Sequence, residues 1–131
     1  RNIFFEKICK LLKKKAGMCF TIDYGYIDNL KNFTLQSVQN HKFSNLFDNL
    51  GNQDISSHVN FKDLVNIAKK FKLQIDEYCT QGEFLIKYGI LDRTKKLSNN
   101  NNAKGIDLDV KRLVNKEEMG DLFKCLVISN L

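Results

Sequence analysis

The sequence predicts an α/β domain, and its 131 residues are a usual length for one domain. The first observation is a helical pattern that runs directly into a short apolar segment, which is the helix-to-strand half of a βαβ unit. The second is a repeat of this order between residues 61 and 78. A third apolar segment, at 122–129, adds a strand near the C-terminus. Helices therefore alternate with strands along the chain.

The first helix is predicted over residues 2–15, with lysines on its other face and Gly17 as the residue that ends it. Met18–Ile22 follows as a nearly unbroken apolar run, which favours a strand covered on both faces, as in parallel sheets. The apolar positions that define the helix are Ile3, Phe4, Ile8, Leu11 and Leu12.

Residues 27–53 are polar and irregular, with a weak pattern that fits either a helix or a hairpin. So long a connection is usually functional or an insertion. A helix is predicted after them, with Asn60 as its N-cap. The strand at 73–78 alternates in polarity, which indicates one less buried face. The apolar stripe of the helix consists of Phe61, Leu64, Val65, Ala68 and Phe71.

Residues 80–83 have the pattern of a capping box that opens a short helix over 84–88. We interpret Gly25, Gly51 and Gly89 as turn glycines. The low-complexity stretch 98–104 is interpreted as a mobile loop, and not as a domain boundary. A further helix is marked by Ile106, Val110, Leu113 and Val114. In the last strand, Lys124 suggests a partly exposed face.

The net charge of +6 would suit nucleic acid or an anionic lipid surface. The lysines are spread out, however, and the one dense run, Lys13–Lys15, lies at a helix end where cations suit the macrodipole. No nucleic-acid-binding motif accompanies it, so a solvated face is favoured and no nucleic acid partner is predicted. No apolar stretch approaches ~18 residues, and no membrane span is predicted.

The four cysteines include no C-x-x-C pair, so we predict buried free thiols in a reducing compartment and no metal site. Neither G-x-G-x-x-G nor a P-loop occurs in the chain. The first residue is Arg and the pattern is helical from the start, which indicates a piece of a longer protein. Periodicity and spacing alone leave the function open.

Five segments carry a family resemblance, in order and over nearly the whole chain. They are "GMCFTIDYGY", "TLQSVQNHKF", "GNQDISSHVNFKDL", "TQGEFLIKYGIL" and "MGDLFKCLVI". The chain resembles the C-terminal part of the MidA family of S-adenosylmethionine-dependent methyltransferases of mitochondria and bacteria. The mitochondrial members are protein-arginine methyltransferases needed for respiratory complex I assembly. The resemblance implies a complex I subunit as protein substrate, and the mitochondrial matrix, or alternatively a bacterial cytoplasm, as the location.

The resemblance also implies the C-terminal portion of a class I (Rossmann-like) methyltransferase fold, a mixed sheet with an antiparallel last strand. Met18–Asp23 and Leu73–Tyr78 would be its fifth and sixth strands, with Phe123–Ser129 inserted antiparallel between them. The N-terminal half of such a domain binds S-adenosylmethionine, so residues 1–131 would lack most of the cofactor site. The cofactor ligands stay unknown, and we expect the chain alone to be inactive. Its open sheet edge would be a dimerisation hazard, with the oligomeric state left open.

Candidate site residues follow the first strand, at the edge where ligands bind in open α/β sheets. A guanidinium target favours carboxylates and aromatic faces around it. Asp23 is therefore a candidate catalytic residue, and Tyr24 and Tyr26 are candidate substrate contacts. Asp23 could equally be a strand-end cap that binds nearby backbone N–H groups.

His58 is the second candidate catalytic residue, as an active-site polar group or proton acceptor, with a helix-start histidine as the alternative. Asp54 is a candidate substrate contact that could orient His58 or cap the turn. Gln81 could bind substrate backbone, or could be a structural residue of the capping box. A different class of function also stays open, namely a non-catalytic docking or scaffold module for complex I assembly.

Overall fold

The structure is a computed structural model that describes residues 1–28, 33–98 and 103–131. The helices are α1 (Asn2–Lys14), α2 (Phe61–Lys70), α3 (Gln81–Lys87), α4 (Ile90–Ser98), α5 (Ala103–Val114) and α6 (Met119–Leu122). The strands are β1 (Gly17–Tyr26), β2 (Gln36–Gln39), β3 (Lys42–Ser44), β4 (Asp54–Ser56), β5 (Val59–Asn60), β6 (Gln74–Thr80) and β7 (Phe123–Asn130).

The main sheet has the strand order β5–β1–β7–β6. β7 is antiparallel to both of its neighbours, while β5 pairs parallel to β1 at Gly25 and Tyr26. The mixed α/β fold with an antiparallel last strand between the two earlier strands is therefore confirmed. The region 98–104 is not one loop, because α4 ends at Ser98 and α5 begins at Ala103; residues 99–102 lie outside the described part of the chain.

One face of the sheet is covered by α1 and α2, and it holds the main core. Side chains alternate between the faces of a strand, so β7 sends every second residue into this core. The N-cap Asn60 accepts a hydrogen bond from the Asp63 amide and starts α2, as the sequence predicts. The core consists mainly of Phe5, Cys9, Leu12, Phe61, Leu64, Ile67, Ala68, Leu126 and Ile128.

The opposite face of β1 is open, which corrects the prediction of a strand covered on both faces. Its side chains there, Met18, Phe20, Ile22 and Tyr24, are 42–58% exposed. β7 pairs with β1 along one edge, and among the described residues the other edge is paired only at Gly25 and Tyr26. The unpaired part of this edge has backbone groups free to pair with a further strand, beside an exposed apolar face.

Lys124 on β7 is buried at 8% exposure, so the prediction that this strand has a partly exposed face is wrong. β7 is an inner strand of the sheet, and the ammonium of Lys124 is paired there with the Asp121 carboxylate. β6 also departs from simple alternation, because a bulge lies between Ile75 and Glu77. The extra residue brings Tyr78 to the same face as Ile75, against the core.

The predicted glycine positions have mixed outcomes. Gly89 and Gly51 have positive φ angles of 85° and 91°, as expected of turn glycines. Gly17 does not end α1, since it is already the first residue of β1. Gly25 lies inside a strand, where a Cβ would be 2.5 Å from the Val59 carbonyl oxygen and 2.6 Å from the Phe61 ring. Glycine is needed there for close packing and not for a turn.

The described part of the polar stretch 27–53 contains β2 and β3, which join β4 in a small second sheet, β3–β2–β4, that we call the arm. Asn40 and His41 connect β2 to β3 with positive φ angles of 50° and 61°, the geometry of a type I′ hairpin turn. Strands of three or four residues are too short to give a clear alternating pattern, which is why the sequence appeared irregular.

The four cysteines are free thiols, and burial raises the pKa of Cys9 and of Cys125 to about 11. Such thiols are protonated at neutral pH and chemically inert. Within the described ranges, no helix is both long and apolar enough to cross a membrane.

Candidate functional site

A recess of about 500 Å³ lies at the carboxyl end of β1. β6 runs in the same direction as β1, because both are antiparallel to β7. The carboxyl ends of β1, β5 and β6 therefore meet at one edge of the sheet, where β7 begins. This is the edge at which open α/β sheets bind ligands. The polar residues that line the recess are Tyr26, Asp28, His58, Thr80, Asp121 and Lys124.

His58 is held in the recess by three separate elements. Its backbone N–H donates to the Thr34 hydroxyl at 3.3 Å, and its carbonyl accepts from the Arg1 guanidinium at 3.0 Å. Its ring stacks on Tyr24, with centroids 6.2 Å apart and planes at 27°. Tyr24 in turn packs on Phe123 at 4.1 Å. The imidazole is thus positioned by contacts that do not use its own nitrogens.

The chain that leaves β1 is tethered to β6 by one hydrogen bond. The Tyr78 hydroxyl donates to the Ile27 carbonyl at 2.8 Å. Burial raises the pKa of Tyr78, with a further contribution from the negative charge of Asp28, so the phenol stays protonated and remains a donor. The tether fixes the segment that carries Tyr26 and Asp28 into the recess.

Asp121 and Lys124 form an ion pair at the recess wall. The Lys124 ammonium donates to the Asp121 carboxylate at 3.0 Å and also to the Asp121 backbone carbonyl. The lysine side chain is 10% exposed, whereas the aspartate side chain is 57% exposed. Asp28, which is also exposed, adds a second carboxylate to the recess. Among the described residues that line the recess, two carboxylates and one ammonium give a net negative charge, which suits a cationic ligand group.

The structure brings some of the predicted site residues together and separates others. Tyr26 and His58 line the recess, and Tyr24 stacks behind His58. Asp23 lies instead beside a second cleft, of about 370 Å³, between α1 and β1. Its carboxylate accepts a hydrogen bond from the adjacent Tyr24 amide at 2.8 Å, within β1 and three residues before the end of that strand.

Asp54 and Gln81 lie outside the recess. Asp54 is an exposed residue of β4 in the arm, and no hydrogen bond joins it to His58 in the described structure. Gln81 is 8% exposed, and its Nε2 donates to the Leu113 carbonyl at 3.0 Å, which ties α3 to α5. The capping box predicted next to it is present, with Thr80 and Glu83 bonding each other's backbone N–H groups.

Sequence reasoning missed Asp28, Thr80, Asp121 and Lys124. A signal for two of them was available, since the start of an antiparallel strand lies at the same edge as the ends of its neighbours. Asp121 and Lys124 flank the start of β7 and could have been found this way. Thr80 was assigned only a capping role, and Asp28 was passed over in favour of Asp23.

Outside the recess, Glu77 is the acceptor for two α3-end side chains. Lys87 and the Tyr88 hydroxyl both donate to Glu77 Oε1, the latter at 2.6 Å. These hydrogen bonds lower the pKa of Glu77 from its ordinary 4.5. A lowered carboxyl pKa stabilises the fold above pH 4.5, and this contribution is lost as the pH falls through the lowered pKa.

We therefore expect Glu77→Gln to unfold at lower urea concentration than the parent chain at pH 7. The difference between the two should shrink as the pH is lowered below 4.5, because the parent carboxyl then becomes protonated. Urea midpoints at both pH values measure this. Glu117→Gln, an exposed site with the same charge change, is the matched control. A difference for Glu77→Gln that is the same at both pH values would contradict the assignment.

The residues present do not fit a complete nucleotide cofactor site. The parallel strand-to-helix turn from β5 to α2 contains no glycine, and Asn60 caps its helix. Gly82 and Gly120 serve packing: a Cβ on Gly82 would be 2.6 Å from the Val114 carbonyl oxygen, and one on Gly120 would be 2.2 Å from it. No group of three His, Cys, Asp or Glu side chains in the described residues could hold a metal ion.

The sheet order and the recess at its carboxyl edge define a methyltransferase-like α/β protein. A family model described as "Putative S-adenosyl-L-methionine-dependent methyltransferase" matches residues 2–79. The chain belongs to this family, whose cofactor is S-adenosylmethionine.

Two solved structures from Burkholderia thailandensis are similar to the whole chain. One, of an uncharacterized protein, has 27% sequence identity and a TM-score of 0.88, and the match covers 98% of this chain and 36% of that one. The other is bound to S-adenosyl-homocysteine and has 27% identity, a TM-score of 0.85, and coverage of 98% and 35%. The chain thus spans about a third of the length of these proteins.

Proposed function

We propose that the chain is the C-terminal, substrate-side part of a methyltransferase that modifies a protein arginine. The proposed target is a subunit of respiratory complex I during its assembly, in the mitochondrial matrix. The observation that carries the proposal is the net negative recess, where Asp28 and Asp121 lie with Tyr26 and His58. Carboxylates and aromatic faces are the groups that bind a guanidinium.

Methylation of arginine would require a guanidinium nitrogen to attack the donor's methyl carbon in line, so that a C–N bond forms as the C–S bond breaks and S-adenosyl-homocysteine leaves. The nitrogen must also lose one proton. Arginine is fully protonated in water, so the site must position the guanidinium and accept that proton. In the proposal, Asp28 and Asp121 orient the guanidinium by hydrogen bonds. The His58 imidazole accepts the proton, and Lys124 keeps the Asp121 carboxylate in place. The charge of the methylated guanidinium is unchanged by the reaction.

The cofactor itself would be held mainly by polypeptide outside these residues. The length difference from the similar structures supports this division, because each has about two thirds of its chain unmatched. S-adenosyl-homocysteine in one of those structures is the product of a methyl donor. We expect the 131-residue chain alone to show little or no cofactor affinity.

The test incubates the intact protein with tritiated S-adenosylmethionine and purified complex I subunits. Amino-acid analysis after acid hydrolysis separates methylarginine from methyl-lysine. Label in methylarginine is the expected result. Label in methyl-lysine would contradict the arginine target, although the protein would still be a protein methyltransferase. No protein label, with intact binding of a subunit, would favour the second candidate.

That second candidate is a non-catalytic docking module for complex I assembly. It is favoured by the apolar open face of β1, and by Phe43 of the arm and Phe47 of the connection from β3 to β4, which are each 80% exposed. Patches of this kind mark protein–protein contacts. The docking function predicts that binding of the subunits survives changes to His58 and Asp28.

A further inference from the structure

The outward face of α1 combines lysines with exposed apolar side chains. Lys7, Lys10 and Lys14 are spaced three and four residues apart, so they lie on one face and line a shallow depression beside Leu11. Ile3 and Leu11 project from the same face, with 74% and 57% exposure. Together these five residues form what we call the α1 patch.

The opposite face of α1 is anchored in the core. Phe5, Cys9 and Leu12 are at most 8% exposed, and they fix the helix against the sheet. The helix is therefore already folded with the α1 patch turned outward. A binding partner would not have to fold α1, so no part of the binding free energy would be lost to forming the helix.

We propose that the α1 patch docks on an anionic lipid bilayer. Lysines lying on such a surface are attracted to its negative potential, and their alkyl stems can extend along it. Ile3 and Leu11 would reach the boundary between headgroups and acyl chains, as the apolar residues of interfacial helices do. Nucleic acid would gain from the lysines but not from Ile3 and Leu11, whose exposure therefore favours lipid. This attachment lies on the surface and needs no membrane span.

The main experiment is flotation of the chain with vesicles of phosphatidylcholine and phosphatidylglycerol in equal parts. Flotation recovers only lipid-bound protein, since aggregates sink. The variant Lys7→Gln/Lys10→Gln/Lys14→Gln should partition roughly a hundredfold less, since each lysine at an anionic surface contributes about fivefold. The control Lys69→Gln/Lys70→Gln/Lys96→Gln removes the same charge from exposed lysines elsewhere and should partition close to the parent chain.

A second variant distinguishes a lipid bilayer from a partner that binds the α1 patch through charge alone. Ile3→Ser/Leu11→Ser keeps every lysine and changes only exposed side chains, so the fold should be retained. It should partition less onto the anionic vesicles, while its affinity for a short DNA duplex stays at the parent value. Salt of about 1 M, where the Debye length is about 3 Å, should release most of the parent chain from the vesicles.

Three results would overturn the proposal. Equal recovery of the parent chain on pure phosphatidylcholine vesicles would remove the role of anionic lipid. Equal loss in both lysine variants would show that total charge matters and the α1 patch does not. Duplex binding that depends on Lys7, Lys10 and Lys14, together with unchanged vesicle partition of Ile3→Ser/Leu11→Ser, would identify a nucleic-acid surface instead.

Discussion

His58→Asn in the intact methyltransferase is expected to lower the rate constant of methyl transfer by about 10²-fold or more. That is the usual loss when a positioned proton acceptor is removed. The KM for the protein substrate should change little, because in the proposed site Asp28 and Asp121 would still bind the guanidinium. The backbone contacts of residue 58 to Thr34 and Arg1 do not depend on the ring, so the recess should keep its shape. Steady-state kinetics with the tritiated donor measure both constants.

His41→Asn is the matched control for this substitution. His41 lies in the hairpin turn of the arm with a positive φ of 61°, a conformation that Asn tolerates. It should leave both constants at the parent values. If His58→Asn instead raises the KM with an unchanged kcat, then His58 binds substrate and another group accepts the proton. Equal effects of the two substitutions on kcat and KM would mean that His58 has no role in the reaction.

The fold was largely predictable because long elements have clear periods. The apolar stripe of α2, its Asn60 cap and the strands β1, β6 and β7 were all found from spacing. The register bulge in β6 was not, because a bulge depends on the pairing with β7 and leaves no local signal. For residues 27–53 a hairpin was one of two weak patterns predicted, the other being helical. The sequence did not decide between them because the strands of the arm are short and its turn residues, Asn40 and His41, lack the usual glycine.

The site was only partly predictable, because its residues come from four segments that are distant in sequence, at 25–28, 58, 80 and 121–124. Tyr26 was predicted from its place at a strand end and His58 from its place just before a helix, and both line the recess. Asp23 and Asp28 are five residues apart at the same strand end, and which of them faces the recess depends on where β1 stops. Lys124 was interpreted as a sign of exposure, yet its pairing with Asp121 makes it a buried wall residue. A lone sequence cannot distinguish these cases, because a charge in a strand fits either.

The packing beneath the recess depends on Phe61, and Phe61→Ala should destabilise the chain by about 3–5 kcal/mol. The ring is fully buried, at 0% exposure, and it fills the space next to Gly25 where β1 and β5 approach closely. A cavity there cannot close, because Val59 and Asn60 are held on the adjacent strand. Since domains are stable by roughly 5–15 kcal/mol, this single change could remove most of the folding free energy. Urea unfolding monitored by circular dichroism measures it.

Phe43→Ala makes the same chemical change at a residue that is 80% exposed, and it should cost less than about 1 kcal/mol. Comparing the two variants separates the effect of burial on the free energy of unfolding from the effect of losing a phenyl ring. Because Phe61 opens α2 directly after β5, its loss should also disturb His58, three residues earlier. We therefore expect a partially folded Phe61→Ala variant to lose activity together with structure. Comparable unfolding midpoints for the two alanine variants would mean that Phe61 is not the core contact on which the recess rests.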